Sequence, residues 1–408
     1  MKAIVKPKPK PGQEWPKGML LTEKPEPTIE DPNDVIIKVF AGGICGTDVG
    51  IYNSKSSLQK EMLHAVDDPV TIGHEFSGTI VDAGKQARVH LARLMIRKAK
   101  TNRDVRAMVR RKTPSALASE PGFLRMLEKK FFGTAEMHVT CGTCYQCSLG
   151  EYHVCRNTII QGLHNDGAWA EYVKVPARNV RLFYGREIPP EIISFMDALG
   201  NGTHTVFSAP VRDRSVAILG LGVQGLLAVA VAKSAGAKRI YVTDASRDHY
   251  PHEKLVNHRF ALAKSFGADH CFDVAMADER HRFVDTILGE TDQTGVDAVF
   301  EMSGNYNAYI DAAKVLRMGG VFSLLGLPSG TIEVDFAKNI IFRGITVHGI
   351  IGRKVFQTWD QMEVLLREGM AKKLMASGIV SHQIPLEKFD EGFAAIKAGD
   401  AFKVLLKP

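Results

Sequence analysis

At 408 residues, 45% hydrophobic and 24% charged, the chain has an ordinary globular composition and is long enough for two domains, each with its own core. No run approaches the ~18 apolar residues of a membrane span, and the opening MKAIVKPKPKPG has no apolar export segment, so a cytoplasmic location is expected. The net charge of +7 is uneven: from Lys85 to Lys130 there are fourteen Lys and Arg against three acids, which leaves −4 on the remainder, so the basic balance describes one segment and is no whole-protein signal for nucleic acid.

In chain order, Val35–Val39 and Gly78–Val81 are β-branched runs bounded by Asp-Pro, Gly-Gly and Gly-His, and they read as strands of a small β-barrel. Cys45 and Thr47 lie between them in I-C-G-T-D, and His74 with Glu75 in G-H-E. The basic segment follows. Leu91, Leu94, Met95, Val105, Met108 and Val109 share one face of a predicted helix, and Arg93, Arg97, Lys100, Arg103, Arg106 and Arg110 crowd the remainder. Thr113-Pro-Ser breaks it, and Ser119-Glu120-Pro121 opens a second helix with Phe123, Leu124 and Leu127, giving a helical hairpin. Its apolar stripe docks on its own barrel or a neighbouring subunit. The sharper readings are contact with an anionic membrane surface, nucleic acid or an acidic protein.

Cys141, Cys144, Cys147 and Cys155 are spaced C-x2-C-x2-C-x7-C. Four thiolates on a short loop close a tetrahedron around Zn²⁺ and leave no position for chemistry. The alternative, two disulfides, suits an exported chain better. Cys271 reads as a core thiol. Cys45, His74 and Asp197 differ in kind: a thiolate, an imidazole and a carboxylate leave room on a zinc for water or a substrate oxygen. Glu75 is a ligand in one state and a supporting neighbour in another. Such a zinc lowers the pKa of a bound alcohol, and the Thr47 hydroxyl is placed to take its proton.

From Leu199 the pattern changes. Ser215–Leu219 is a buried strand, Gly220-Leu-Gly222-Val223-Gln224-Gly225 a tight turn, Leu226–Ser234 an apolar helix, and Arg239–Val242 a second strand ending at Asp244. A G-x-G-x-x-G between strand and helix, with an acid nineteen residues after Gly225, reads as a dinucleotide site. Gly220 allows the turn, Gly222 the approach of pyrophosphate, and Gly225 close helix–strand packing. Asp244 accepts from the ribose hydroxyls and repels a 2′-phosphate, favouring NAD over NADP. Arg259, Leu325 and Gly326 complete the candidate cofactor contacts. Strand and helix patterns alternate through Ala298–Phe300, Val321–Leu325 and Thr346–Ile350, as in a parallel sheet, and Val404–Leu406 is a strand that returns to the first domain. His249, His252 and His258 read as surface residues.

These residues, in this order, resemble the zinc-dependent medium-chain alcohol dehydrogenases, with the L-threonine 3-dehydrogenase branch the nearer match. The resemblance rests on I-C-G-T-D-V at 44–49, G-H-E at 73–75, H-V-T-C-G-T-C at 138–144, C-R-N-T at 155–158, A-E-Y at 170–172, G-N-G-T-H-T at 200–205, E-M-S-G at 301–304 and I-G-R-K-V-F-Q-T-W at 351–359. It implies an α/β chain: a GroES-like β-barrel catalytic domain over 1–198, with a basic helical insertion at about 86–132 and a zinc loop at 138–156. A Rossmann NAD-binding domain over 199–342 and a C-terminal return over 343–408 would follow. It further implies two Zn²⁺ per chain, NAD, a small-molecule alcohol substrate and a homo-oligomer, dimer or tetramer. Cys45, His74 and Asp197 match the catalytic-zinc ligands with Glu75 adjoining, the four loop cysteines the structural zinc, Thr47 the proton-relay hydroxyl, and His138 a histidine near the substrate. Glu171 matches a structural carboxylate.

Two departures stand out. The position five after Cys45, a histidine in the family, is Gly50, so the proton leaves through Thr47 and the nicotinamide ribose or through His64, and a slower or pH-shifted enzyme is expected. Between Gly84 and Glu136 the G-D-R-V strand is missing, and Lys129–Thr134 is placed to supply it. The expected activity is oxidation of L-threonine to 2-amino-3-oxobutanoate. The alternatives are a polyol or vicinal diol dehydrogenase, or a non-catalytic zinc protein that engages an acidic partner through its basic hairpin.

Overall fold

A computed structural model describes residues 1–408, and the chain folds as two compact units. The first comprises Met1–Asp197, Val380–Ile396 and Lys403–Pro408; the second comprises Ala198–Ile379 and Lys397–Phe402.

In the first unit the β-branched Asp34–Gly43 is the central strand, paired antiparallel with Phe76–Ala83, Tyr172–Pro176 and Lys403–Lys407. Phe131–Ala135 and Val180–Tyr184 extend the sheet on one side, and Val380–Pro385 on the other. Val35, Ile37 and Val39, spaced by two as strand geometry requires, enter one core with Phe76, Ile80 and Leu182. Gly78 sits where strands cross most closely: a Cβ there would lie 2.1 Å from the Lys38 carbonyl oxygen. The Val404–Leu406 run does return to this unit, with Leu405 and Leu406 opposite Gly43 and Gly42.

The second unit is a parallel sheet of six strands in the order His270–Asp273, Arg239–Asp244, Ser215–Leu219, Val296–Glu301, Leu316–Leu324 and Thr346–Gly349. Its central strands are continuous apolar runs because helices cover both faces. Strand order reverses at Ser215–Leu219, and ligands of such sheets bind beyond the carboxyl ends of the strands at that point. Thr346–Gly349 corrects one boundary: the sequence reading starts the C-terminal return at 343, but residues 343–379 stay in this unit because this run is the sixth strand. No helix is long and apolar enough to cross a membrane.

The basic segment forms four short helices, Lys85–Lys98, Arg103–Met108, Pro114–Ala118 and Phe123–Lys130, in place of the expected hairpin. Capping explains the difference. The Asn102 side chain accepts the Val105 N–H at 3.0 Å and starts a new helix inside the run read as one. Thr113 accepts from Ala116 at 3.2 Å, with Pro114 in the first turn. Phe131–Ala135 then takes the place of the missing barrel strand, pairing with Val180–Tyr184. Leu91, Met95, Val105, Leu117, Phe123 and Leu127 are buried in the same core as Ile37 and Ile80, so the apolar stripe docks on its own barrel.

Full burial of one such side chain stabilises by about 1.5–3 kcal/mol. Leu91→Ala is therefore expected to lower the unfolding free energy by about 2–5 kcal/mol, read from denaturant melts. A change under about 0.5 kcal/mol, typical of surface positions, would show that the helices are not part of the core.

Candidate active site

The thiolate loop follows the His138–Val139 strand and carries the short helix Tyr145–Ser148. The four sulfurs of Cys141, Cys144, Cys147 and Cys155 lie within 4.8 Å of one another. Cys141 and Cys155 are 3.6 Å apart and Cys144 and Cys155 3.9 Å. A tetrahedral ion with bonds of ~2.3 Å would set its sulfurs ~3.8 Å apart. All six cysteines are free thiols, so the disulfide alternative falls. The N–H groups of Cys141 and Cys144 donate to Cys155 Sγ and Cys141 Sγ at 3.3 and 3.4 Å. Donation from the Thr143 and Cys144 backbone holds the Cys141 thiol well below the usual range, toward the thiolate that binds metal.

Cys45 caps the helix Gly46–Tyr52, while His74 and Glu75 lie between the strands Val70–Thr71 and Phe76–Ala83. One ligand atom from each of Cys45, His74 and Glu75 falls within 4.8 Å of the others. His74 Nδ1 and Glu75 Oε1 are buried with no hydrogen-bond partner. Burial alone would depress the imidazole pKa, yet the charges of Asp48, Cys45 and Asp197 outweigh it and push it up to about 10. The pocket thus holds more negative charge than its own cations balance. A divalent ion with sulfur, nitrogen and oxygen donors fits it.

Asp197, in the first turn of Met196–Phe207, is buried and close enough to act on His74, but its carboxylate stands outside the 4.8 Å group. Thr47 is half-buried in the turn after Cys45. His138 Nδ1 lies 2.6 Å from Glu136 Oε1, which also accepts the His138 backbone N–H at 3.0 Å, so the ring is held by a buried acid. At Gly50 an added Cβ would lie 2.3 Å from Leu58 Cδ1. The space a histidine would need is filled by leucine.

In the second unit, Gly220 takes φ +101 and a Cβ on it would meet Ser303 at 2.7 Å, while one on Gly225 would meet the Gly220 carbonyl oxygen at 1.9 Å. Gly222 precedes the helix Val223–Ser234, and beyond its Cα there is open space. This is a cradle for an anion at a helix N-terminus, with Val223 and Gln224 in the first turn. Asp244 accepts from Arg259 Nη1 at 2.8 Å and from the Ala245 N–H at 2.9 Å, and the Arg259 guanidinium lies 4.4 Å over the Tyr250 ring. A cavity of about 160 Å³ is lined by Gly220, Asp244, Arg247, Ser303 and Asn305. These features fit a dinucleotide. The Leu325 and Gly326 N–H groups donate to the Glu301 carbonyl at 3.0 and 3.2 Å, which ties that loop to the same sheet edge.

Three residues enter that the sequence reading does not assign. Asp48 is fully buried; Oδ2 accepts the Cys45 N–H at 2.8 Å and Oδ1 lies 3.5 Å from His74 Nδ1, and burial raises its carboxyl to about 6. An acid three positions after the capping cysteine is the signal that could have found it. Lys403 contacts Glu75 Oε2 through its ammonium and donates to the Ile44 carbonyl at 2.9 Å. Nothing local marks it. Glu301 is fully buried at a strand end: Oε1 accepts from the N–H groups of Ser303 at 2.7 Å and Gly304 at 2.9 Å and from the Ser303 hydroxyl, and Oε2 has no hydrogen-bond partner. It fixes the turn that Gly220 packs against.

The family model described as "Alcohol dehydrogenase GroES-like domain" matches residues 31–98 and 133–183, and "Zinc-binding dehydrogenase" matches 224–368. The first match breaks off over 99–132, within the inserted helices. L-Threonine 3-dehydrogenase of Bacillus velezensis is 38% identical, covering 100% of this chain and 99% of the relative. The enzyme of that name from Symbiobacterium thermophilum is 35% identical, with 96% and 95% covered. Among solved structures, the alcohol dehydrogenase of Thermus sp. ATN1 superposes with a TM-score of 0.74 at 24% identity over 100% and 99% of the two chains, a likeness of fold. With both domain models matched and relatives alike along their full length, the chain belongs to the zinc-dependent medium-chain alcohol dehydrogenases.

Proposed function

We propose that the protein oxidises L-threonine at its secondary hydroxyl to 2-amino-3-oxobutanoate, using zinc and NAD. The observation that carries this is the convergence of Cys45, His74 and Glu75 on one buried point, a donor set that leaves a position for a substrate oxygen. The names of relatives at 38% and 35% identity support the choice of substrate. Cys45, His74 and a carboxylate, from Glu75 or Asp197, would hold zinc, which would supply Lewis acidity to the hydroxyl, and the Gly220–Gly225 turn would hold NAD, which would supply the hydride acceptor.

The remaining work falls to the chain itself. The Thr47 hydroxyl takes the substrate proton. Asp48 orients the His74 ring, and Lys403 holds Glu75. Glu136 holds the His138 ring, and the resemblance supports His138 as the histidine near the substrate. With Leu58 filling the space beside Gly50, no imidazole at that position carries the proton onward. Five cysteines assigned to zinc and a sixth, Cys271, left unpaired, with no disulfide among them, suit the reducing cytoplasm.

A homo-oligomer, dimer or tetramer, is part of the same reading. Thr346–Gly349 is an edge strand, and Phe336, Ile341, Phe342, Val347 and Ile351 beside it are exposed. An unpaired apolar edge of this kind is covered by strand pairing with a second copy.

Steady-state NADH formation with L-threonine, butane-2,3-diol and sorbitol tests the substrate. L-Threonine is expected to give a kcat/KM at least about tenfold above the others, the discrimination that one good polar contact supplies; a faster diol would assign the site to diol oxidation. Cys45→Ser is expected to cut bound zinc from two to one per chain and abolish turnover. In Glu301→Ala the turn against Gly220 loses its acceptor at about 1–3 kcal/mol, so NADH affinity, titrated by fluorescence, falls roughly tenfold while zinc stays at two. Unchanged NADH affinity would remove Glu301 from cofactor positioning.

A further inference from the structure

We propose that the outward face of the inserted helices binds the phosphate backbone of a nucleic-acid duplex, an interaction independent of the dehydrogenase reading. The segment's apolar side is already used, since Leu91, Met95, Val105 and Leu127 are buried in the barrel core. What remains outside is cationic. Twelve Lys and Arg between 85 and 130 are exposed, and of these only Lys112 is ion-paired, with Glu120 at 2.6 Å. Arg93 and Arg97 lie on the first helix, Arg103 and Arg106 on the second, and Lys100 and Arg110 in the turns that follow each, all exposed. The Arg106 guanidinium donates to the Ala99 and Lys100 carbonyls at 3.0 Å, which ties the second helix to the end of the first. His90, half-buried beside Arg93, Arg97 and Arg181, has its pKa lowered by burial and by those three cations.

A row of like charges held together by core packing repels itself, and a polyanion relieves the repulsion by releasing counterions. Eight of the segment's fourteen cations are arginine, whose planar fork matches phosphate oxygens. An anionic bilayer fits less well. Membrane-surface helices insert an apolar face, and no large hydrophobic residue of 85–130 is exposed. An excess of eleven positive charges within 46 residues suits the dense charge of a duplex backbone better than the sparser charge of an acidic loop, and the remainder of the chain, at −4, directs a polyanion to this face.

The test uses the full-length zinc-loaded enzyme with a fluorescein-labelled 24-base-pair duplex of arbitrary sequence, phosphatidylserine vesicles and polyglutamate. The duplex is expected to bind at 50 mM salt with a log K against log salt slope of about −4 to −5, roughly 10²–10³-fold weaker by 200 mM. The variant Arg93→Gln, Arg97→Gln, Arg103→Gln, Arg110→Gln, all exposed positions, is expected to keep its dehydrogenase rate and melting temperature. It should lose at least about tenfold in duplex affinity and flatten the slope by about 3–4. No duplex binding at 50 mM salt, equal binding by the variant, or tighter binding of vesicles or polyglutamate at matched charge would each overturn the proposal.

Discussion

The Lys403 ammonium meets the Glu75 carboxylate inside the first unit, with neither side chain more than 2% exposed. Burying two charges costs several kcal/mol each, and only good geometry with further hydrogen bonds offsets it. Here the offset extends along a chain of contacts. Lys403 also donates to Ile44, Cys45 follows Ile44 and donates its N–H to Asp48, and Asp48 faces His74. Even so, the acids and the thiol outnumber the cations, and the His74 pKa is pushed up by the surplus. A pocket built in this way is complete only with a cation, which is why the metal belongs to the fold as much as to the chemistry.

The same logic sets the role of the C-terminal strand. Lys403 begins the strand Lys403–Lys407, which joins the barrel beside Gly42 and Gly43. This strand thus both links Asp34–Gly43 to Val380–Pro385 in the sheet and delivers the charge that holds Glu75. Within the second unit, Glu301 plays a comparable part for the glycine turn, one buried carboxylate accepting from three donors of a neighbouring turn. Asp48, which accepts the Cys45 N–H, and Glu301 are both buried acids that fix backbone beside a candidate site.

What was legible in the sequence was whatever depends on neighbours along the chain. The cysteine spacing, the Gly220–Gly225 turn between strand and helix, and the alternation of the second unit are all local patterns, and the structure displays them. The partners that complete the sites come from far away. Lys403 reaches Glu75 across more than three hundred residues, and Leu58 fills the space at Gly50 from the next helix, so neither leaves a pattern to read. The inserted segment shows the middle case. Its apolar period was visible, but a polar cap at Asn102 divided one expected helix into two, because a side-chain acceptor for an orphan N–H outweighs a continuing hydrophobic stripe. The boundary at 343 came with the resemblance, whereas the alternation of strand and helix placed Thr346–Ile350 in the parallel sheet, and the pairing of Thr346–Gly349 with Leu316–Leu324 agrees with that alternation.

The proposed activity requires Cys45, His74 and a carboxylate to close around one ion, apart from the four-thiolate loop. X-ray absorption at the zinc edge of the purified enzyme tests this directly. Two zinc ions per chain are predicted, one with four sulfurs at about 2.3 Å and one with a single sulfur and lighter donors at about 2.0–2.2 Å, which averages to about 2.5 sulfurs per zinc. A spectrum of four sulfurs per zinc with one equivalent bound would contradict it, leaving the buried surplus of negative charge without its cation.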